Sequence, residues 1–420
     1  MYKILSVKID KFWQRYSASC SFNPDVNIII GKNGSGKTTF MNILQSVLEV
    51  DVDVISHTDF SSVEIKIQKG SSIKTIKAKR IEDPRSPFLI IEYQISSKKF
   101  KVRVLSTDER AIPAHYRQRA AQASEVVRKE LSDLVSLSSL SVYRLRSGED
   151  YEVRGKHGIK AISPVDYRLT QLLQNLTRYQ LELSQEARDI GIDLQKEVLA
   201  SILYSKEDSK QGGYGLDFDK EEEKTNLISA YQQLNAMDTK IRRKINFHVD
   251  AIDKTVTEIK RNKKSKNIAQ IDFRSLEALR KTQKIMEMSL DAEDKTSRIY
   301  EPITLFTTIL SEFITDKVFT FVNGQLEVSN THDEIKYDAL SSGEKQLLIL
   351  FIETLLQRED PYIFLTDEPE LSLHIAWQRN IIPAIKRLNP NAQIIAATHS
   401  PEVASKYRSS IVDMEKIIND

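Results

Sequence analysis

Apolar and polar residues alternate from the first positions of the chain. Ile4, Val7 and Ile9 mark a first strand, and Trp13 and Tyr16 lead into a second over 19–22. Asn23-Pro24-Asp25 turns, and Val26-Asn27-Ile28-Ile29-Ile30 follows as an almost wholly apolar run. Phe40, Met41, Ile43 and Leu44 then fall at helical spacing. Alternation returns over 63–67, breaks at Lys69-Gly70-Ser71-Ser72, and resumes over 73–78, 88–95 and 100–105. This pattern predicts an antiparallel sheet with one face in a core and one in water.

From about Ser124 the period becomes helical. Leu169, Leu172, Leu176, Tyr179, Leu183, Ala187, Ile190 and Leu194 recur at three- and four-residue steps. A less strict run from Leu227 through Ile245, Val249 and Val256 to Ile259 predicts a helix about 50 Å long at 1.5 Å per residue. Gly212-Gly213-Tyr214-Gly215 and the acidic 217–223 separate the two runs as a loop. Phe273, Leu276, Leu279 and Ile285 give a third run, and Pro302 is expected to open a further helix through Ile303, Phe306, Ile309 and Phe313. Asn323-Gly324 between two alternating stretches predicts a two-residue hairpin. The last hundred or so residues alternate helix and strand, as an α/β core does. No repeat or low-complexity segment interrupts this order.

The chemistry gathers at the joints. Gly31-Lys32-Asn33-Gly34-Ser35-Gly36-Lys37-Thr38 lies between the apolar strand and the first helix, the setting of a phosphate-binding loop. Glycines let several N–H groups converge on one anion at a helix N-terminus. The expected nucleotide ligands are Asn33, Gly34, Ser35, Gly36, Lys37, Thr38 and Thr39, with Lys37 on the β- and γ-phosphates and the Thr38 hydroxyl on Mg²⁺. Far downstream, Ile363-Phe364-Leu365-Thr366-Asp367-Glu368 is an apolar strand ending in two carboxylates. Asp367 would hold Mg²⁺ and Glu368 would orient or deprotonate an attacking water. A second apolar strand, 393–397, ends in Thr398-His399-Ser400, and Leu340-Ser341-Ser342-Gly343-Glu344 heads a helix.

Phosphate loop, Ser-Ser-Gly-Glu, strand-Asp-Glu and strand-His, in that order, resemble the ABC-type ATPases. Asp367-Glu368-Pro369-Glu370 with Leu373-His374 narrows the resemblance to the SMC/RecF/OLD branch. Within it the chain resembles the stand-alone ATPases of bacterial antiphage systems, such as the ATPase subunit of PARIS. The motifs carrying the resemblance cover 1–45 and 335–405. It implies an α/β ABC-type P-loop ATPase head with an antiparallel β subdomain and an inserted, coiled-coil-like helical arm. The expected divisions are 1–123 and 301–420 for the two halves of the head and 124–300 for the insertion. The resemblance further implies Mg²⁺-dependent ATP hydrolysis in a homodimer or larger assembly. There Ser341, Ser342 and Gly343 of one subunit close over the γ-phosphate held by the other, His399 senses that phosphate, and Glu370–His374 relay the state across the interface. Lys37, Glu368 and His399 form the expected catalytic set. About 20 residues follow His399, so the Toprim nuclease of OLD proteins is expected to be absent. A separate nuclease-like effector and a phage-encoded trigger are the implied partners.

Composition trims the alternatives. The 420 residues are 40% apolar and 29% charged with a net charge of +2, so any nucleic acid must meet a local basic patch. Candidate patches are Arg242-Arg243-Lys244 and Lys260, Arg261, Lys263, Lys264 and Lys266, read either as a DNA or anionic-protein contact or as a solvated helix tip. The single Cys20 fits a reducing cytoplasm, and no run is long and apolar enough for a membrane span or leader. Trp13 or Tyr16 could stack on adenine or simply pack the sheet. No glutamine loop can be placed, Tyr143-Arg144-Leu145-Arg146 standing where one is expected. The alternative function is a RecF/SMC-like DNA-repair clamp. A transporter subunit is disfavoured by the inserted helices and by Ser-Gly-Glu in place of Ser-Gly-Gly-Gln.

Overall fold

The computed structural model describes residues 1–81, 89–104, 114–141, 151–155, 158–202, 218–234, 236–262, 274–330, 333–371 and 373–419. The tetrapeptide Tyr143–Arg146, the Gly212–Gly215 loop, Lys263, Lys264 and Lys266 lie outside them. The chain divides into two compact units, one of 1–177 with 305–420 and one of 178–304.

Three strands open the first unit: β1 (Lys3–Phe12), β2 (Tyr16–Ser21) and β3 (Val26–Ile30). Helices α1 (Lys37–Glu49) and α2 (Val52–His57) precede β4 (Ser62–Lys69), β5 (Ser72–Ile81), β6 (Leu89–Ile95) and β7 (Lys98–Val104). Then come α3 (Ala114–Ser132), β8 (Leu137–Ser141) and the antiparallel pair β9 (Tyr151–Gly155) and β10 (Gly158–Ile162). Four helices follow: α4 (Pro164–Ile202), α5 (Lys220–Gln233), α6 (Thr239–Asn262) and α7 (Arg274–Phe313). The chain re-enters the first unit with hairpin β11 (Val318–Val322) and β12 (Gln325–Ser329), then α8 (Ser342–Leu356) and β13 (Ile363–Asp367). It finishes with α9 (Ile375–Gln378), α10 (Ile381–Leu388), β14 (Gln393–Ala397), α11 (Pro401–Ala404), β15 (Ile411–Asp413), α12 (Met414–Ile417) and β16 (Ile418–Asn419).

Two larger sheets build the core of the first unit, beside the two-stranded pairs β9-β10 and β11-β12. The antiparallel one runs β16-β2-β1-β4-β5-β6-β7, and the parallel one runs β15-β3-β14-β13-β8. Strands β13 and β14 are buried along their whole length, which is why they read as continuous apolar runs rather than alternations. The P-loop-bearing α1 packs Phe40, Ile43, Leu44 and Val47 into one core with Ile9, Val63 and Tyr93 of the antiparallel sheet and Leu365 and Ile395 of the parallel one. A buried amide ties the two sheets. Gln393 Oε1 accepts from the Ile4 N–H at 2.7 Å, and its Nε2 donates to the Ile4 and Asn23 carbonyls, each at 2.8 Å. The Asn323-Gly324 hairpin forms as expected, with φ of +51° and +80°.

Three expectations are corrected. The helical insertion begins at about 178, not 124, because β8 joins the parallel sheet: Leu137–Ser141 pairs in register with Ile363–Asp367. The serine-rich segment has little strand pattern of its own, and the neighbouring buried strand decides its conformation. The run from Leu227 to Ile259 is two helices, α5 and α6. Asp238 breaks it by accepting from the Ile241 N–H at 2.5 Å and so capping a new start. Pro302 lies inside α7 rather than opening a helix.

In the second unit α5 and α6 pack Leu227 against Ile245 and Val249, while Ile252 and Val256 of α6 meet Leu276 of α7. No helix among the described residues is long and apolar enough to cross a membrane.

Candidate functional site

The carboxyl ends of β3, β14 and β13 lie side by side, since β14 pairs with both neighbours in parallel. Parallel α/β sheets bind ligands at this edge. Strand β3 feeds the glycine loop, β13 ends at Asp367, and β14 ends just before Thr398 and His399. Segments more than 300 residues apart in sequence therefore share one rim.

The loop curls where glycine permits. Gly36 sits at φ +92° as the cap of α1, and a Cβ there would lie 2.9 Å from the Trp13 ring and 3.0 Å from Phe12. Trp13, one of the two candidates for adenine stacking, thus backs the loop. Tyr16 instead lies beneath the Arg15 guanidinium. Lys37 is 4% exposed and donates to the carbonyls of Gly31 at 2.9 Å and Lys32 at 3.0 Å. Burial lowers its pKa, against the upward pull of Asp367, Glu368 and Glu370. Asn33, Gly34 and Thr38 are exposed, whereas Ser35 and Thr39 are half-buried.

Asp367 is buried and its Oδ1 has no protein partner. Burial raises its pKa, the Thr38 side chain pulls it back, and Glu368, Lys37 and Glu370 act with smaller effects of both signs. A buried carboxylate oxygen without a donor, beside a hydroxyl, is chemistry that suits a hard divalent cation. Thr38 and Asp367 therefore fit Mg²⁺. Glu368 occupies the left-handed region at φ +50°, a conformation that costs a non-glycine residue about 1–2 kcal/mol. Its Oε1 lies 3.8 Å from His399 Nε2.

Glu370 does something that motif reading missed. Its Oε1 accepts from the Thr398 hydroxyl and from the His399 and Ser400 N–H groups, the latter two at 3.1 Å. The carboxylate after β13 thus pins the loop after β14 and fixes the backbone that carries His399. A third acidic residue two positions past Glu368, facing a Thr-His-Ser triplet, is the sequence signal for it.

Ser341 caps α8 through a capping box: its hydroxyl accepts from Glu344 N at 3.3 Å, and Glu344 Oε2 accepts from Ser341 N at 2.8 Å. Lys317, which the sequence did not single out, holds Glu344 Oε1 at 2.7 Å and fixes the box from outside. Ser341 and Ser342 are exposed and Gly343 is buried. Their hydrogen bonds among the described residues are local, so the structure does not join them to the glycine loop or to Asp367 and Glu368 of the same chain.

A family profile described as an AAA ATPase domain matches residues 2–404. The chain belongs to that family. A 147-residue segment of this AAA-family chain is 29% identical to the "Retron Ec83 probable ATPase" of Escherichia coli, covering 29% of the chain and 27% of that protein. Another of 89 residues is 34% identical to "Septu protein PtuA" of Bacillus thuringiensis, covering 18% and 22%. The chain thus spans about a quarter of the length of these curated relatives. The solved Smc head domain with an extended coiled coil from Pyrococcus furiosus, bound to the C-terminal domain of ScpA, aligns over 98% of this chain and 93% of its own. Its identity is 13% and its TM-score 0.43. The fold is α/β, an ATPase head with an antiparallel β subdomain and an inserted helical unit.

Proposed function

We propose that this AAA-family ATPase binds ATP between two copies of itself and hydrolyses it, and that the assembly serves as sensor and scaffold in bacterial antiphage defence, restraining a separate effector in the cytoplasm. The observation that carries the hydrolytic reading is the meeting of Lys37, Asp367, Glu368 and His399 on one sheet rim. The relatives named for a retron and for Septu support the defence setting.

In this reading the loop N–H groups and Lys37 cradle the phosphates, with Lys37 leaving its own loop carbonyls for the β- and γ-phosphate oxygens. Thr38 and Asp367 would hold Mg²⁺, which supplies charge neutralisation on those oxygens. Glu368 orients a water for in-line attack and takes its proton as the bond to the γ-phosphorus forms and the bond from that phosphorus to the β–γ bridging oxygen breaks, releasing ADP and phosphate. His399, held by the Glu370 clamp, donates to the γ-phosphoryl oxygens. The exposed, pre-capped start of α8 offers Ser341, Ser342 and Gly343 to the γ-phosphate bound by a partner copy, the helix terminus favouring that charge.

Glu368→Gln should retain ATP and accumulate as a dimer or larger species on size-exclusion light scattering with ATP, while phosphate release falls by about 10²-fold or more. Full turnover in that variant removes Glu368 from the base role. A strictly monomeric wild-type enzyme at full turnover removes the shared site.

A further inference from the structure

Helix α6 shows two unlike faces. Ile245, Val249, Ile252 and Val256 are buried against α5 and α7. On the opposite side, in a stripe whose members stand three, four or seven residues from one another, are Lys240, Arg243, Lys244, Phe247, Lys254 and Arg261. All six are exposed. Phe247, at 77%, is the most exposed large apolar side chain among the described residues. None of the five cations has an ion-pair partner there. Of the two acids along the same stripe, Asp250 is already taken by Lys220 at 2.8 Å, and Glu258 is half-buried. From Lys240 to Arg261 the stripe runs about 32 Å at 1.5 Å per residue.

The chemistry of the stripe selects its occupant. A second copy of the same face would meet five like charges. A membrane surface needs an apolar face wider than one phenyl ring. An acidic polypeptide would satisfy the cations and leave Phe247 in water, and a duplex would do the same because its base faces are stacked inside. A flexible phosphodiester strand with unpaired bases meets both demands, phosphates on the cations and a base on the ring. We propose that the outer face of α6 binds single-stranded nucleic acid, Phe247 stacking on one base and Lys240, Arg243, Lys244, Lys254 and Arg261 pairing with phosphates. The site lies wholly within the second unit and does not depend on the reading of the nucleotide site.

The test uses the full chain and fluorescent oligo-dT and oligo-rU of about 30 nucleotides, followed by anisotropy across salt. Five neutralised phosphates give a log–log salt slope near −3.5, so affinity should drop about 100-fold between 50 and 200 mM salt. Phe247→Ala should weaken binding about tenfold or more with the slope unchanged. The double variant Arg243→Gln/Lys244→Gln should flatten the slope by about 1.4. Both sets should keep the wild-type circular dichroism and ATP turnover, since these side chains are exposed and lie outside the buried clusters of the second unit. Tighter binding to a duplex of equal length, loss of selectivity against poly-glutamate, or Phe247→Ala binding like wild type would each overturn the assignment. So would an absence of binding at 50 mM salt. Any difference between dT and rU decides which nucleic acid the site prefers.

Discussion

Glu370 holds the backbone of His399, 29 residues further along the chain, and its removal should separate positioning from binding. In Glu370→Ala the Thr398 hydroxyl and the His399 and Ser400 N–H groups lose their shared acceptor. The losses are unequal. The His399 N–H is at the surface, where water can replace the carboxylate, and the Ser400 N–H keeps a second acceptor in Thr398 Oγ1 at 2.9 Å. Thr398 is fully buried, so its hydroxyl bears most of the cost. One hydrogen bond to a charged group contributes about 1.5–3 kcal/mol, which at about 2–4 °C per kcal/mol lowers Tm by about 3–12 °C. The kinetic effect should be larger than the thermal one. With His399 released, kcat should fall on the order of 10²-fold, the scale of a misplaced catalytic group. KM for ATP should stay within about threefold, because the glycine loop is untouched. Glu370→Gln retains an acceptor oxygen of the same reach and should recover most of kcat. Steady-state phosphate release and calorimetry on the three proteins decide the matter. Wild-type kcat in Glu370→Ala refutes the clamp, and a Gln variant as slow as Ala would mean that the charge matters rather than the tether.

Two further expectations concern the frame around the site. Gly36→Ala places a methyl against the buried Phe12 at a φ of +92°. Left-handed strain of about 1–2 kcal/mol adds to overpacking of about 1–3 kcal/mol, so stability and fluorescent-ATP affinity should both drop. Gly34→Ala, with nothing within 4 Å of its Cβ, should lose less stability, and equal losses would count against the Phe12–Trp13 wall. Arg168 donates to Glu353, which is 6% exposed on α8, through Nε at 2.9 Å. Arg168→Met should cost about 3–5 kcal/mol at neutral pH by stranding that carboxylate, and the double variant with Glu353→Leu should recover much of it. Burial holds the Glu353 pKa up, and Arg168 and Ser138 oppose that. The folded state therefore keeps its proton to higher pH than the unfolded chain, and stability falls as pH rises from the unfolded value of 4.5 through the folded one. Without Arg168 that window extends upward, so the deficit in urea unfolding should shrink on acidification. A deficit independent of pH would contradict the pairing.

The sequence alone determined those features that local chemistry dictates. A glycine loop between an apolar strand and a helix can take few shapes, and Asn323-Gly324 admits little but a tight hairpin, because positive φ excludes most residues. Buried parallel strands announced themselves as unbroken apolar runs, and alternation marked the half-wet sheet. Where segments distant in sequence meet, the pattern was silent. Leu137–Ser141 became a strand only because β13 offered it a buried edge, and Asp238 divided one apolar periodicity into two helices with a single cap. Gln393 tying the sheets, Lys317 fixing the Glu344 box, and Glu370 holding the His399 loop are each one polar side chain reaching a distant backbone or partner. No periodicity encodes such contacts. Their energy comes from satisfying buried donors and acceptors in a particular packing, and that packing exists only once the chain has folded.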